Sequence, residues 1–166
     1  RMMKDELTFI IKTCDRYRCL KSLLSSIKKY YKNIKIIIVD DSEYPYKDKI
    51  IKKFPDLDID YNLLPVDSGV CYGRNYALKK VKTKYFCLLD DDFIFDNTSN
   101  LEAGLEMIKE KDVDILGGYI KTYCNRNKWY KYPLYYIEKI VNYYIPQNYT
   151  GTIKIKNDEL IIDYKQ

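Results

Sequence analysis

Three consecutive carboxylates, Asp90, Asp91 and Asp92, close the apolar run Tyr85–Leu89, and the chain turns apolar again at Phe93. Acids this close repel one another. Each also loses hydration where a strand end is half buried, which raises its pKa unless a cation compensates. The natural compensator is a hard divalent ion. Mg2+ and Mn2+ commonly bind through one or two carboxylates and complete their shell with substrate phosphates. If the extended backbone continues past Leu89, Asp90 and Asp92 fall on one side and can meet one ion, with Asp91 pointing elsewhere, toward a sugar hydroxyl for example. The plain alternative is a solvated acidic turn capping the next helix. Phe93, Ile94 and Phe95, which should bury the far side of that turn, argue against it.

Other polar groups recur in the same kind of place. Asp40, Asp41 and Ser42 follow the β-branched run Ile34–Val39. Carboxylates there could accept N–H and O–H groups from a nucleotide's base edge and ribose, or simply end a strand in water. The stretch Asp67–Ala77, "DSGVCYGRNYA", offers Gly69 and Gly73 for tight backbone, a helix N-terminus, Arg74 to fork onto a diphosphate, and Asn75. Thr13 and Asp15 follow the first apolar run. Neither a P-loop nor a G-x-G-x-x-G fingerprint is present, which leaves an ATPase or a dinucleotide dehydrogenase unsupported. Cys71, beside Arg74, reads as a structural thiol.

The elements that must position these groups alternate. Leu7–Thr13 is strand-like. Tyr17, Leu20, Leu23, Leu24, Ile27, Tyr30 and Tyr31 then recur at helical spacing, with Asp15 as the expected N-cap. Ile34–Val39 predicts a strand buried on both faces. A short helix is expected in 44–54, a third strand in 58–65, a helix after Gly69, a fourth strand at Tyr85–Asp92, and a helix capped by Ser99 or Asn100. A fifth strand is expected at Asp114–Ile120. This order predicts an α/β layer with a mostly parallel sheet, because parallel strands need crossover helices. Ligands of such sheets bind beyond the carboxyl ends of the strands, where all four polar groups lie. After Ile120 the alternation stops. Short strands are expected around Lys128–Tyr136, Gly151–Lys156 and Leu160–Tyr164, and Tyr135–Tyr144 also has a helical reading.

Composition sets the limits. The 166 residues are 46% apolar and carry a net charge of +5, enough for one domain with a core and no strong bias toward nucleic acid. Histidine is absent, which excludes a histidine base, a histidine metal ligand and a Ser-His triad within this chain. The five cysteines form no C-x-x-C pair, so reduced thiols in a cytoplasm-like compartment are expected. No apolar run approaches the ~20 residues of a membrane span and no signal-peptide core is visible, so membrane association is left open by residues that encode no segment for it.

Taken in order, "FIIKTCDRY", "IIIVDDS", "GVCYGRNYAL", "YFCLLDDDFIF" and "DILGGYI" resemble a nucleotide-sugar glycosyltransferase of family 2 with the GT-A fold. The same blocks are similar to those of the ganglioside β-1,4-N-acetylgalactosaminyltransferases. The resemblance covers roughly 7–120, two thirds of the chain. It implies a metal-dependent, inverting transfer of a hexose or N-acetylhexosamine from a UDP-sugar to a glycan or a lipid- or protein-linked acceptor. It further implies that Thr13 lines the uridine pocket, that Asp41 and Asp40 meet the uracil, and that Arg74 approaches the base or the diphosphate. Asp91 would hold the ribose or donor sugar. Asp92, helped by Asp90, would bind Mn2+ or Mg2+. Gly117 and Gly118 would make room for the donor sugar. Asp15, Arg16 and Asn75 complete the nucleotide-binding set so implied.

In that family the base usually lies in an acidic motif nearer the C-terminus. Here Asp158, Glu159 and Asp163 are the only acids after Glu138 and read as an ordinary turn and strand, so the base is expected beyond Gln166. The whole of 1–166 is then expected to be one truncated GT-A domain, with a nucleotide-sugar half at 7–120 and a partial acceptor side at 121–166. Two rivals belong to other classes. A catalytically silent UDP-sugar-binding module fits the missing base. A receiver-type phosphoacceptor also has "VDD" after a strand, but a full strand–helix unit precedes it here.

Overall fold

A computed structural model describes residues 3–111, 113–118, 150–156 and 159–165, the last two segments as backbone. It divides into two compact units, 1–116 and 117–166. In the first, β1 (Leu7–Thr13), β2 (Lys35–Asp40), β3 (Ile59–Leu63) and β4 (Tyr85–Asp90) form one all-parallel sheet in the order β3-β2-β1-β4. The crossovers are α1 (Tyr17–Tyr30), α2 (Lys47–Lys53) and α3 (Val70–Leu78), and α4 (Leu101–Lys111) follows β4.

The near-continuous apolar runs of β1 and β2 arise because both faces are covered. Phe9 and Ile11 of β1, with Ile36 and Ile38 of β2, pack under Leu20, Leu23, Leu24 and Ile27 of α1 and Ile50 of α2. Ile10, Ile37 and Val39 point the other way and pack against Ala77 of α3. Among the described residues β4 is the edge strand on its side, and its Phe86 and Leu88 are exposed.

The register fixes what meets what at the carboxyl edge. Thr13 lies opposite Asp40 on one side of β1, and Lys12 lies opposite Asp90 on the other. The acids ending β2 and β4 therefore flank the end of β1, where two neighbouring residues can reach both.

Some expectations change. Asp15 does not cap α1. Its φ is +52°, its N–H donates to Ser42 Oγ at 2.7 Å, and Arg16 occupies the N-cap position without a side-chain cap. Asn100 caps α4 by accepting from the Ala103 N–H at 2.9 Å, which frees the triple Asp from capping. Ile94 is 59% exposed, whereas Phe93 and Phe95 pack against the core. Phe95 stacks on Phe9, and its N–H donates to Ser26 Oγ of α1, so the chain leaving the acids is pinned. Of the fifth strand expected at Asp114–Ile120, the described residues 114–118 carry none, and residues 119–120 lie outside the described ones. A strand exists only where a neighbour supplies a ladder, and an apolar run alone does not specify that neighbour.

In the second unit, β5 (Thr150–Lys156) and β6 (Glu159–Lys165) form an antiparallel hairpin close to the two late strands expected. The expected elements within 128–144, and Asp158, lie outside the described residues.

Candidate active site

The cleft at the carboxyl edge is lined by Lys12, Thr13, Cys14, Arg16, Val70, Asp90, Asp91 and Asp92 and has a volume of about 250 Å3. Its floor is Asp91, which is 3% exposed. Asp91 accepts a hydrogen bond from Thr13 Oγ1 at 2.7 Å, and Arg16 approaches its other oxygen at 2.9 Å. Burial pushes the Asp91 carboxyl above its ordinary value, and the neighbouring Asp92 and Asp90 add to this; Thr13 and Arg16 oppose it without cancelling it.

The strand ends at Asp90, and residues 91–92 form a turn closed by the Phe93 N–H on the Asp90 carbonyl at 3.1 Å. Asp90 and Asp92 thus leave the simple alternation expected of an extended chain and take partners on different elements. Arg74 of α3 donates to Asp90 at 2.6 Å, and Arg16 donates to Asp92 at 2.7 Å. Both pairs are half exposed. The hydrogen bond to Asp92, followed by the charge of Asp91, raises the Arg16 guanidinium above its ordinary value. Two arginines, one on each flank, therefore compensate the three acids.

The other acidic strand end is built differently. Asp40 is 1% exposed and takes three donors, the Ser42 N–H at 3.0 Å, the Ser42 hydroxyl and the Tyr61 hydroxyl at 2.6 Å. Burial, then Asp40 itself, pushes the Tyr61 phenol far up, so it remains a donor. Asp41 is also 1% exposed. It forms an ion pair with Lys12 and accepts from the Gly69 N–H at 2.9 Å, while its backbone carbonyl accepts from the Asp67 N–H at 3.0 Å. Burial pushes the Asp41 carboxyl up, but Lys12, Gly69 and Cys14 outweigh it and hold the group below its usual value. The Cys14 thiol is pushed up to about 11 by burial and then by Asp41, which keeps it from acting as a thiolate nucleophile.

Two glycines make this arrangement reachable. Gly69 has φ +87° and ψ 164°, a region essentially reserved for glycine, and this aims its N–H at Asp41. At Gly73, a Cβ would stand 2.8 Å from Lys12 Cδ, so a larger residue would have to displace the lysine stem over which α3 lies.

The sequence-derived candidates therefore sort by place. Thr13, Arg16, Asp90, Asp91 and Asp92 line the cleft. Arg74 reaches it through Asp90, and its Nε–H has no partner among the described residues. Asp40 and Asp41 stand behind the cleft wall. Asp15 lines a neighbouring cavity of about 500 Å3 with Arg16, Tyr17, Arg18, Cys19, Tyr46 and Lys49. Asn75 is exposed on α3 and lines neither cavity. Gly117 and Gly118 belong to the other unit and are exposed. Sequence reasoning missed Lys12 and Tyr61, and the parts played by Ser42 and Gly69. The signal for Lys12 was a charge set inside "FIIKT", one residue from the end of a buried strand.

The anionic oxygen donors lining the cleft are the carboxylates of Asp90, Asp91 and Asp92. Among the described residues no three His, Cys, Asp or Glu side chains gather as a closed cage. That set does not suit structural zinc. It does suit a hard ion that takes one or two carboxylates and completes its shell with water and phosphate oxygens. Asp92 and Asp90 are the partly exposed carboxylates of the cleft, whereas Asp91 is buried.

Comparison with known proteins agrees with this fold. The profile described as Glycosyl transferase family 2 matches residues 8–162. Beta-1,4 N-acetylgalactosaminyltransferase 2 of Mus musculus is 34% identical over 121 residues, covering 73% of this chain and 22% of that protein. Beta-1,4 N-acetylgalactosaminyltransferase 1 of Homo sapiens is 31% identical over 115 residues, covering 69% and 20%. The chain thus spans about a fifth of the length of these relatives. Among solved structures, S. aureus TarS 1–349 in complex with UDP superposes with a TM-score of 0.57 at 22% identity, covering 70% of this chain and 38% of that one. The mannosyltransferase PcManGT from Pyrobaculum calidifontis, in complex with GDP-Man and Mn2+, gives 0.55 at 16%, covering 62% and 32%. At these identities the likeness is one of fold.

Proposed function

This chain belongs to glycosyl transferase family 2, and from that premise we propose that its cleft binds a UDP-sugar with a divalent cation, Mn2+ or Mg2+, for inverting transfer of a hexose or N-acetylhexosamine to an acceptor hydroxyl. One observation carries the proposal. Acids from the ends of two separate strands flank the end of β1 in register, and one of them, Asp91, is buried and oriented by Thr13 as the floor of an open cleft. A fold does not otherwise need a carboxylate there, because burying it raises its pKa.

In this assignment Asp92 and Asp90 hold the cation, which supplies positive charge against the charge developing on the departing diphosphate. Asp91 accepts hydrogen bonds from ribose or donor-sugar hydroxyls. Thr13 fixes which Asp91 oxygen faces the ligand. Arg74 turns its fork toward the diphosphate. Asp41, held by Lys12 and the Gly69 N–H behind the cleft wall, serves the uracil pocket by fixing that wall and not by direct contact. Asp40, with three internal donors, is a strut. Transfer breaks the bond between the anomeric carbon and the diphosphate oxygen and forms one to the acceptor oxygen, whose proton passes to a carboxylate base. That base is not assigned among the described residues. The whole of 1–166 is the proposed truncated GT-A domain, with its nucleotide-sugar half at 7–120. The close relatives make UDP-GalNAc the first donor to try, ahead of UDP-GlcNAc, UDP-Gal and UDP-Glc.

Isothermal titration of UDP with and without Mn2+ tests this. UDP should bind in a metal-dependent way, and Asp92→Ala should weaken binding by at least about 100-fold. Equal binding with and without metal, or binding indifferent to Asp92→Ala, would remove the metal from the site.

A further inference from the structure

Arg16 stands apart from every other residue of the site. It begins α1, so its backbone is anchored, yet its side chain is 49% exposed. Its two terminal nitrogens grip two different carboxylates, Nη1 on Asp91 at 2.9 Å and Nη2 on Asp92 at 2.7 Å. Among the described residues it is the one that lines both the 250 Å3 cleft and the 500 Å3 cavity. The smaller cleft alone falls below the usual range for ligand pockets, about 300–1,000 Å3. The guanidinium is therefore a wall, and it puts positive charge where the proposed cation needs a carboxylate oxygen.

We propose that Arg16 is an internal counter-ion that holds the cation's place in the ligand-free protein and is drawn off Asp92 onto the diphosphate when nucleotide and metal enter. The inference rests on the donor-site reading above and adds an exchange to it. A guanidinium suits this duty. It is permanently charged, it forks onto two carboxylates, and the same fork matches a diphosphate. Its departure from Asp92 joins the two cavities into a space that admits a nucleoside diphosphate carrying a sugar. Lys12 cannot serve in this way, because it is only 10% exposed and its amine is committed to Asp41 and to the Thr13 carbonyl.

The exchange links two ligands. Metal arriving alone must compete with Arg16 for Asp92. Nucleotide that attracts Arg16 removes this competition, so each ligand should tighten the other, and by the same factor. The probe is Mn2+ alone, read by the loss of the free-ion electron paramagnetic resonance signal and requiring no turnover. Arg16→Gln should bind Mn2+ at least about tenfold more tightly than the wild type without nucleotide. The factor by which UDP strengthens Mn2+ binding should fall by a similar amount. Arg16→Lys, which keeps the charge but cannot bridge two carboxylates, should lie between. Circular dichroism of the metal-free variants would verify that the fold is kept.

Arg16→Gln that binds Mn2+ no more tightly than the wild type, while UDP and Mn2+ still bind together, would overturn the exchange and leave the donor site standing. Wild type that binds neither Mn2+ nor UDP at saturating levels of both would overturn the two together.

Discussion

Two strands of one sheet end in runs of acid, and the molecule treats them in opposite ways. At the end of β2, Asp40 and Asp41 are shut in, and every partner is internal and fixed: the Tyr61 hydroxyl, Ser42, the Gly69 N–H and a lysine lying under Gly73. At the end of β4, Asp90 and Asp92 are half exposed, and their partners are the tips of two long arginines anchored on other elements. Both ends are the same chemistry written in sequence. They differ in whether the compensating donor can leave. A buried donor with no route to water is a strut. A donor on a flexible stem at the rim can be exchanged for a ligand. Asp91 lies between these cases, buried like the first group and reached by one of the movable arginines.

The comparison is most exposed to failure at Lys12. Lys12→Met should destabilise the fold by about 3–5 kcal/mol at neutral pH, since it leaves an uncompensated buried carboxylate. The pH dependence identifies the cause. In the wild type Asp41 sits below its ordinary value, so its stabilisation is complete above the unfolded value of about 3.9 and is lost as pH falls through the folded one. In the variant, burial remains and the counter-charge is gone, so the folded value should rise above the ordinary one. The cost should then be absent below about pH 4 and grow as pH rises through that value. Urea unfolding of both proteins at pH 3.5 and pH 7 measures it. A constant gap would mean that Lys12 acts through packing alone, and the strut would not be electrostatic.

Tyr61→Phe is the next largest. Its hydroxyl donates to a buried carboxylate, and hydrogen bonds to charged groups contribute about 1.5–3 kcal/mol. Stability should fall by that much in thermal or chemical unfolding, while Mn2+ affinity stays unchanged, because Tyr61 touches neither the cleft nor the acids of β4. A variant that lost metal affinity along with stability would show that the two acidic ends are not independent.

The sequence announced the acids and concealed their partners, and the reason is physical. Periodicity and the β-branched runs locate strands through local steric preference, so β1 to β4 and α1 to α4 could be read directly. The edge at which the ligand site lies followed from the parallel order. Partner choice depends on register and on neighbouring elements. Nothing local marks Arg16 as the double grip rather than Arg18, two residues on. Nothing local marks Tyr61 as the donor to Asp40 among so many tyrosines. The turn at residues 91–92 was hidden for a similar reason. Alternation continues only while a neighbour supplies a ladder, and the register of β1 with β4 runs out at Asp90. Lys12 was legible in principle, because a charge within a strand buried on both faces must find a counter-charge. Which acid it would find was not.

The smallest effect is expected at Arg74 and Asp90, and its smallness is informative. The pair is short, 2.6 Å, but its side chains are 35% and 54% exposed. Exposed ion pairs contribute about 0–1 kcal/mol, because water and salt screen them and two long side chains lose freedom. Arg74→Ala should therefore leave the unfolding midpoint almost unmoved and should not depend on pH in the way Lys12→Met does. If Arg74 is a movable donor, its removal should instead appear as weaker UDP binding in the presence of Mn2+, with the metal-free fold intact. A double-mutant cycle with Asp90→Asn separates the outcomes. A coupling energy in stability near zero, alongside a clear one in nucleotide affinity, is the signature of an exchangeable partner. The reverse pattern would place Arg74 with Tyr61 among the struts and leave Arg16 as the sole cation at that strand end free to move.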